Sequence, residues 1–262
     1  MNTKFFKYQG TGNDFIMIDD RISLFPSGDN TQLIEKLCHR RFGIGADGLI
    51  LLQKYDSADF YMKYYNSDGR ESSMCGNGGR CIAQFAKDLN IVGDKATFYA
   101  VDGYHEAEYQ DGFVSLLMKD VDSIDKRSND EFVLNTGSPH YVIFTHTDID
   151  SLDIVSMAKK IRYNDEFAKE GINVNFVNIL SDNELKVRTY ERGVEDETFS
   201  CGTGVTASVL AYSLRNSIEG KPITVQTLGG TLSVKFTPHE QAFKQVYLQG
   251  PALRVFEGKF EL

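Results

Sequence analysis

Apolar and polar positions alternate over short runs through most of this chain, and a period of two predicts strands. In the first half the alternation, with its β-branched and aromatic content, falls at residues 5–8, 14–18, 48–54 and 60–65. Helical spacing over residues 31–41, stopping before Gly43, predicts a helix with that glycine as its stop. A second helix is expected over 76–89, with Ile82, Phe85, Ala86 and Leu89 on one face. Residues 97–119 read as a meander turning at Asp102-Gly103 and Asp111-Gly112. The polar, acidic stretch 121–130 suits a crossing between domains. The same style then repeats. Strands are expected at 131–134, 141–145, 174–180 and 184–190, and a helix at 152–163. A helix at 202–215 is apolar on more than one face through Val205, Ala207, Val209, Leu210, Ala211 and Leu214, the mark of a buried helix. Further strands, with a turn at Gly229-Gly230, end the chain.

Runs of strands with few helices indicate an α+β fold. Each half holds one apolar helix, so the expected architecture is two pseudo-symmetric domains, each a sheet or barrel wrapped round a central helix. The expected division is 1–120 and 121–250, with a C-terminal strand at 251–262 returning to the first half.

Composition adds exclusions. The 262 residues carry 28 Lys and Arg against 37 Asp and Glu, a net charge of −9 that argues against nucleic acid as a partner. No apolar run reaches the eighteen or so residues of a membrane span, so no membrane partner is expected. The stretch Met1-Asn2-Thr3-Lys4-Phe5 has no secretory-signal pattern, and a cytoplasmic location is expected. The four cysteines, Cys38, Cys75, Cys81 and Cys201, have no C-x-x-C spacing, and the histidines do not cluster with them. No metal site and no disulfide framework is therefore expected. Cys38 and Cys81 read as buried packing residues.

Cys75 and Cys201 are different. Each opens a glycine-rich turn that leads into a helix: Met74-Cys75-Gly76-Asn77-Gly78-Gly79 and Ser200-Cys201-Gly202-Thr203-Gly204. At their offset Tyr64 also matches Tyr190 and Glu71 matches Glu197, which suggests a duplicated site. A thiol at a helix N-terminus sits against the positive end of the helix dipole, which favours thiolate. The same helix end is a carboxylate cradle. Two such thiols suit inversion of an amino-acid stereocentre through a planar carbanion, with a base on one face and an acid on the other. The backbone donors would stabilise the charge that develops on the carboxylate. A hydrolase triad has no place for a duplicated nucleophile. The Gly43-Ile44-Gly45-Ala46-Asp47-Gly48 stretch is a formal G-x-G-x-x-G, but a helix precedes it and a strand follows, the reverse of a dinucleotide site.

The residues resemble the pyridoxal-phosphate-independent diaminopimelate epimerases. The matching stretches are Gly10-Thr11-Gly12-Asn13-Asp14-Phe15, Tyr65-Asn66-Ser67-Asp68-Gly69, the two cysteine turns, Gly137-Ser138-Pro139-His140, Ile172-Asn173-Val174 and Tyr190-Glu191-Arg192-Gly193. That resemblance implies an isomerase that converts LL-diaminopimelate to the meso form in lysine and peptidoglycan precursor biosynthesis, with no cofactor and no metal. It implies Cys75 and Cys201 as the acid–base pair, and Gly76, Asn77, Gly202 and Thr203 as ligands of the reacting carboxylate. Asn13, Asn66, Asn173, Glu191 and Arg192 would hold the other polar ends of the substrate, with His140 and Glu191 supporting the chemistry near the reacting amine. An arginine suits a distal carboxylate, which it can grip with two hydrogen bonds. Two positions depart from the family pattern: Gly48, where some members carry Gln, and Ser138, where Asn is common. Three alternatives are weighed: a proline or hydroxyproline racemase of the same superfamily, a thiol-redox or metal-binding module, and a non-catalytic thiol or amino-acid-binding protein. Arg192 and the asparagines argue against the first, since a small ring substrate has no distal charged group. Diaminopimelate is the expected small-molecule partner, and a homodimer is allowed by the sequence but not specified by it.

Overall fold

The structure is a computed structural model that describes residues 2–26, 28–218, 221–240 and 242–261. The ends of the expected first half, residues 1 and 262, lie outside the described residues. The chain groups into two compact units, Met1–Leu116 with Gly250–Leu262, and Leu117–Gln249. Each is a sheet curved round one helix, an α+β architecture.

In the first unit the order is β1 (Asn2–Gly10), β2 (Asn13–Asp19), α1 (Thr31–Cys38), β3 (Gly48–Gln53), β4 (Phe60–Asn66), β5 (Glu71–Ser72), α2 (Gly76–Asp88), β6 (Lys95–Ala100), β7 (Gly103–Gln110) and β8 (Phe113–Leu117). β1 and β2 pair antiparallel, β2 and β3 parallel, β3 and β4 antiparallel, and β4 carries β5 antiparallel and β6 parallel. β6, β7 and β8 form the meander. The last turn of that meander places Asp111 at φ 53° and Gly112 at φ 81°. This pair of left-handed residues gives a two-residue loop the twist that its flanking strands need. α2 packs against β1, β2 and β3, burying Ile82, Phe85 and Ala86 as expected, with Arg80, Cys81 and Ala83 besides.

The second unit has β9 (Asp125–Lys126), β10 (Glu131–Asn135), β11 (Pro139–Phe144), α3 (Ile154–Arg162), β12 (Asn173–Ser181), β13 (Glu184–Glu191), β14 (Asp196–Thr198), α4 (Gly202–Asn216), β15 (Ile223–Thr227), β16 (Gly230–His239) and β17 (Ala242–Gly250). Its pairings repeat the first unit's in order: β10–β11 antiparallel, β11–β12 parallel, β12–β13 antiparallel, β13–β14 antiparallel, β13–β15 parallel, then β15–β16–β17. α4 is buried from Gly204 through Ser213 and touches β10 to β13, β15 and β16, which explains why it is apolar on more than one face. β18 (Leu253–Glu261) runs antiparallel to β1 in the first unit.

Several expectations need correcting. α1 ends at Cys38, not Arg41, because the His39 ring accepts the N–H groups of Arg41 and Phe42 and turns the chain. Gly43 is not the helix stop. A Cβ there would lie 2.0 Å from the Lys36 carbonyl oxygen, so its glycine serves a close backbone approach. α3 starts at Ile154, where the Asp153 side chain accepts the Ser156 N–H; a separate 3-10 turn, Ile149–Ser151, precedes it. The ladders also move one duplication partner. Leu49 faces Tyr65 and Val174 faces Tyr190, while Glu71 faces Tyr65 and Glu197 faces Tyr190. Tyr65, not Tyr64, is thus the counterpart of Tyr190, and the loop to β14 is one residue longer than the loop to β5.

Candidate active site

The first half-site is built on the start of α2. Cys75 is the N-cap residue, with extended backbone (φ −102°, ψ 149°), and its Sγ accepts the Gly78 N–H at 3.2 Å. A sulfur thus fills the place a serine or aspartate oxygen takes in ordinary caps. A Cβ on Gly78 would stand 3.1 Å from the sulfur, a close contact that a small shift relieves. Asn13, at the start of β2, presents its Oδ1 to Cys75 Sγ at 4.0 Å and accepts from Asn77 Nδ2 at 3.4 Å. Its orientation is set from behind, because Asn13 Nδ2 donates to the Asp47 carboxylate at 2.6 Å. Beneath lies Arg80, fully buried, donating to Asn77 Oδ1 (3.0 Å), Thr11 Oγ1 (3.3 Å) and the Gly76 carbonyl (3.3 Å). Its Nε has no partner among the described residues. Burial pulls the Arg80 pKa down to about 10, and the groups that pull it back up are Cys81 and Cys75.

The second half-site is built on the start of α4. Cys201 is again the N-cap residue, with extended backbone, but its sulfur makes no backbone cap bond. It lies 3.4 Å from Thr203 Oγ1, and Thr203 Oγ1 lies 2.9 Å from His140 Nε2 on β11. His140 Nδ1 is 3.1 Å from Asn175 Nδ2 on β12, and Asn175 Oδ1 accepts from Thr189 Oγ1 at 2.9 Å on β13. Gly204 is needed here, since a Cβ would fall 2.3 Å from Asn175 Oδ1. His140 is completely buried, and that burial, helped by the positive charge of Arg192, pushes its pKa down to about 3. The ring is therefore neutral at any physiological pH.

At the rim of this unit, Asn173 donates to Ser138 Oγ and to the Pro139 carbonyl, both at 2.9 Å, and accepts the Arg192 N–H at 2.9 Å. Both its amide hydrogens are thus committed to shaping the loop. The Arg192 guanidinium donates to the Glu170 carbonyl at 2.9 Å and reaches Ser138 Oγ at 3.5 Å, so the serine stands inside this network. Gly171 (φ +75°) gives the arginine room, for a Cβ there would lie 2.6 Å from Arg192 Cδ. Glu191 ends β13, half-buried, at the ladder position that Asn66 takes, exposed, at the end of β4. Gly48 has no space for a side chain: a Cβ would come within 2.6 Å of both Tyr64 and the Tyr65 carbonyl.

The structure brings Cys75, Asn13, Gly76 and Asn77 together in the first unit, and Cys201, Gly202, Thr203, His140, Asn173 and Arg192 within the second. Cys38 and Cys81 are buried in the core, where burial raises each thiol to about 12 and keeps it protonated. Sequence reasoning missed Asp47, Arg80, Asn175 and Thr189. A signal existed for one of them: Asn173 and Asn175 alternate with Val174 and Phe176, so both asparagines share one face of their strand. Among the described residues no three His, Cys, Asp or Glu side chains gather as metal ligands, and no helix is long and apolar enough to cross a membrane.

The family profile described as Diaminopimelate epimerase matches residues 5–119 and 132–255. A diaminopimelate epimerase of Flavobacterium psychrophilum is 52% identical over 97% of this chain and 98% of its own length. One from Aquifex aeolicus is 38% identical over 98% and 97%. Among solved structures, a phenazine biosynthesis protein of the PhzF family from Bacillus anthracis superposes with a TM-score of 0.78 over the whole of both chains at 12% identity, a likeness of fold alone. With both cysteine turns inside the matched segments, the chain belongs to the diaminopimelate epimerase family.

Proposed function

We propose that this protein interconverts LL- and meso-diaminopimelate by a two-thiol acid–base mechanism. The observation that carries this reading is a cysteine at the N-cap of the central helix in each unit, inside a chain of the epimerase family. One sulfur, as thiolate, takes the proton from the α-carbon, and the other, as thiol, returns a proton to the opposite face. The carbanion is planar and conjugated with its carboxylate, so the two oxygens gain charge as the C–H bond breaks. Backbone N–H groups in the first turns of α2 and α4, at Gly76, Asn77, Gly202 and Thr203, point out of the helix ends and suit that charge. Neutral His140 supports Cys201 through Thr203 and does not act as a base itself at neutral pH.

The distal end of the substrate carries a second carboxylate and ammonium. Arg192 suits the carboxylate, with Asn13, Asn66, Asn173 and Glu191 as the remaining polar ligands. The two units act as the two epimerase halves, in a cytoplasmic enzyme that uses neither pyridoxal phosphate nor metal. A racemase acting on a ring amino acid would leave Arg192 without a carboxylate to bind.

Incubating the reduced protein with LL-diaminopimelate in deuterated water tests the reading. Meso product with deuterium at one α-carbon is expected without added cofactor, and Cys75→Ala and Cys201→Ala should each abolish epimerisation. Full epimerisation by either variant, or no exchange by the wild type, overturns it.

A further inference from the structure

We propose that Asn175 is a positioning residue that fixes the tautomer of His140, and through it makes the Thr203 hydroxyl a hydrogen-bond donor to Cys201. The proposal rests on Cys201 being one of the acid–base thiols. It follows from tracing each proton along the chain of contacts. The Asn175 amide is oriented by two neighbours. Its Nδ2 stands 3.1 Å from the Tyr141 carbonyl, which can only accept, and its Oδ1 takes the Thr189 hydroxyl at 2.9 Å. The second hydrogen on Nδ2 then points at His140 Nδ1, 3.1 Å away. Nδ1 must therefore offer a lone pair, and in a neutral ring the proton sits on Nε2. The Nε2–H donates to Thr203 Oγ1 at 2.9 Å. With that hydroxyl oxygen accepting from the ring, its own hydrogen is left for Cys201 Sγ, 3.4 Å away. A donor aimed at sulfur favours thiolate over thiol.

The first unit shows that the fold does not require this arrangement. Ladder positions pair His140 with Asn173 and Asn175 with Thr189; in the first unit the same places hold Phe15 with Gly48 and Ile50 with Tyr64. Where α2 has Gly78 packed on the Ile50 methyl, α4 has Gly204 packed on the Asn175 amide and the His140 ring. At these matched positions the first unit carries apolar and aromatic side chains in place of the imidazole, amide and hydroxyl. The polar cluster under Cys201 buries an imidazole, an amide and a hydroxyl, each of which costs free energy unless fully paired, and its contacts lead from the Thr203 hydroxyl to the Cys201 sulfur. The charged group that faces His140 is Arg192, which further disfavours a second proton on the ring.

The test reads the tautomer directly. In ¹⁵N-labelled wild-type protein, with the His140 signals assigned by loss in His140→Gln, long-range ¹H–¹⁵N correlations should show a protonated Nε2 and an unprotonated Nδ1 at pH 7. Asn175→Asp replaces the amide donor with an acceptor and should move the proton to Nδ1. A second arm does not depend on that variant folding. In a Cys75→Ala background, the pH midpoint for alkylation of Cys201 should rise by about one unit in Thr203→Val, the size of one hydrogen bond to a charged group, and return in Thr203→Ser. An Nδ1–H or doubly protonated ring in the wild type, or a Cys201 midpoint indifferent to Thr203→Val, overturns the proposal. Either result leaves the deuterium-exchange test untouched, and a failed exchange would leave the tautomer standing.

Discussion

Gly78 and Gly204 occupy the same place in the first turn of the two central helices, and the structure predicts that alanine will be tolerated at one and not at the other. At Gly204 the new Cβ would sit 2.3 Å from Asn175 Oδ1, with His140 Cε1 and Thr189 Oγ1 at 3.3 Å. Ordinary contact needs about 1 Å more, and the blocking atom is a buried amide held by three partners. Overpacking of this kind costs about 1–3 kcal/mol, and loosening buried hydrogen bonds adds about 1–3 kcal/mol. The better helix propensity of alanine returns about 1 kcal/mol. The net loss for Gly204→Ala is about 3 kcal/mol. At Gly78 the neighbours are Cys75 Sγ at 3.1 Å, Ile50 Cδ1 at 3.3 Å and Met62 Cε at 3.4 Å. Two of these are ends of flexible apolar chains that need yield only a few tenths of an ångström, so the helix gain cancels most of the cost and Gly78→Ala stays within about 1 kcal/mol of wild type. Thermal unfolding followed by circular dichroism measures the contrast. For a chain of this size about 3 kcal/mol lowers the midpoint by roughly 6–12 °C, and 1 kcal/mol by 2–4 °C. Equal midpoints for the two variants would refute the packed polar cluster under Cys201 and, with it, the fixed orientation of Asn175.

Much of the fold was legible because its strands are half-buried and so alternate visibly. β13, with burial alternating from Leu185 to Thr189, announces itself. The four parallel pairings among the described residues were not legible, because parallel partners are joined by long crossovers and no local signal records which strand lies beside which. The duplication was visible at the cysteines, where the turn chemistry is dense, and slipped by one residue at Tyr64, because an ungapped comparison cannot see the extra residue in the loop after Tyr190. The two cysteine turns could be read as helix starts from the chain alone, since a Cys-Gly-x-Gly pattern recurs in register and each cysteine is the N-cap of its helix. Arg80 could not. An arginine four residues into an amphipathic helix reads as solvent-facing, and only the packing of β1 and Gly10 against it shows that it is buried. The contact of His140 with Thr203 joins residues 63 apart in the chain, beyond any local pattern.

The first unit supplies two further predictions. Asp14 bonds to Lys7 at 2.7 Å and to Arg40 at 2.7 Å; burial works to raise its pKa, but the two cations outweigh it and hold the carboxyl down at about 2. A carboxyl depressed from about 3.8 contributes stability at neutral pH that is lost as pH falls from about 4 to about 2, on the order of 1–2 kcal/mol once screening at the exposed Arg40 is allowed for; Asp14→Asn should lose it at pH 7 and show a flatter acid profile in that window, and parallel profiles would refute the assignment. Arg80→Met separates a structural role from an electrostatic one. Methionine fills a similar space without charge, so removing a buried guanidinium whose Nε has no partner among the described residues offsets the loss of its hydrogen bond to the Asn77 amide oxygen, and the unfolding midpoint should change little. The charge effect between Arg80 and Cys75 is mutual: if an ionised Cys75 favours the charged guanidinium, the guanidinium favours the Cys75 thiolate by the same energy. In a Cys201→Ala background the alkylation midpoint of Cys75 should therefore rise by about one pH unit in Arg80→Met. A large fall in thermal stability with an unmoved Cys75 midpoint would make Arg80 a packing residue and leave the helix dipole and the Gly78 N–H to activate the first thiol.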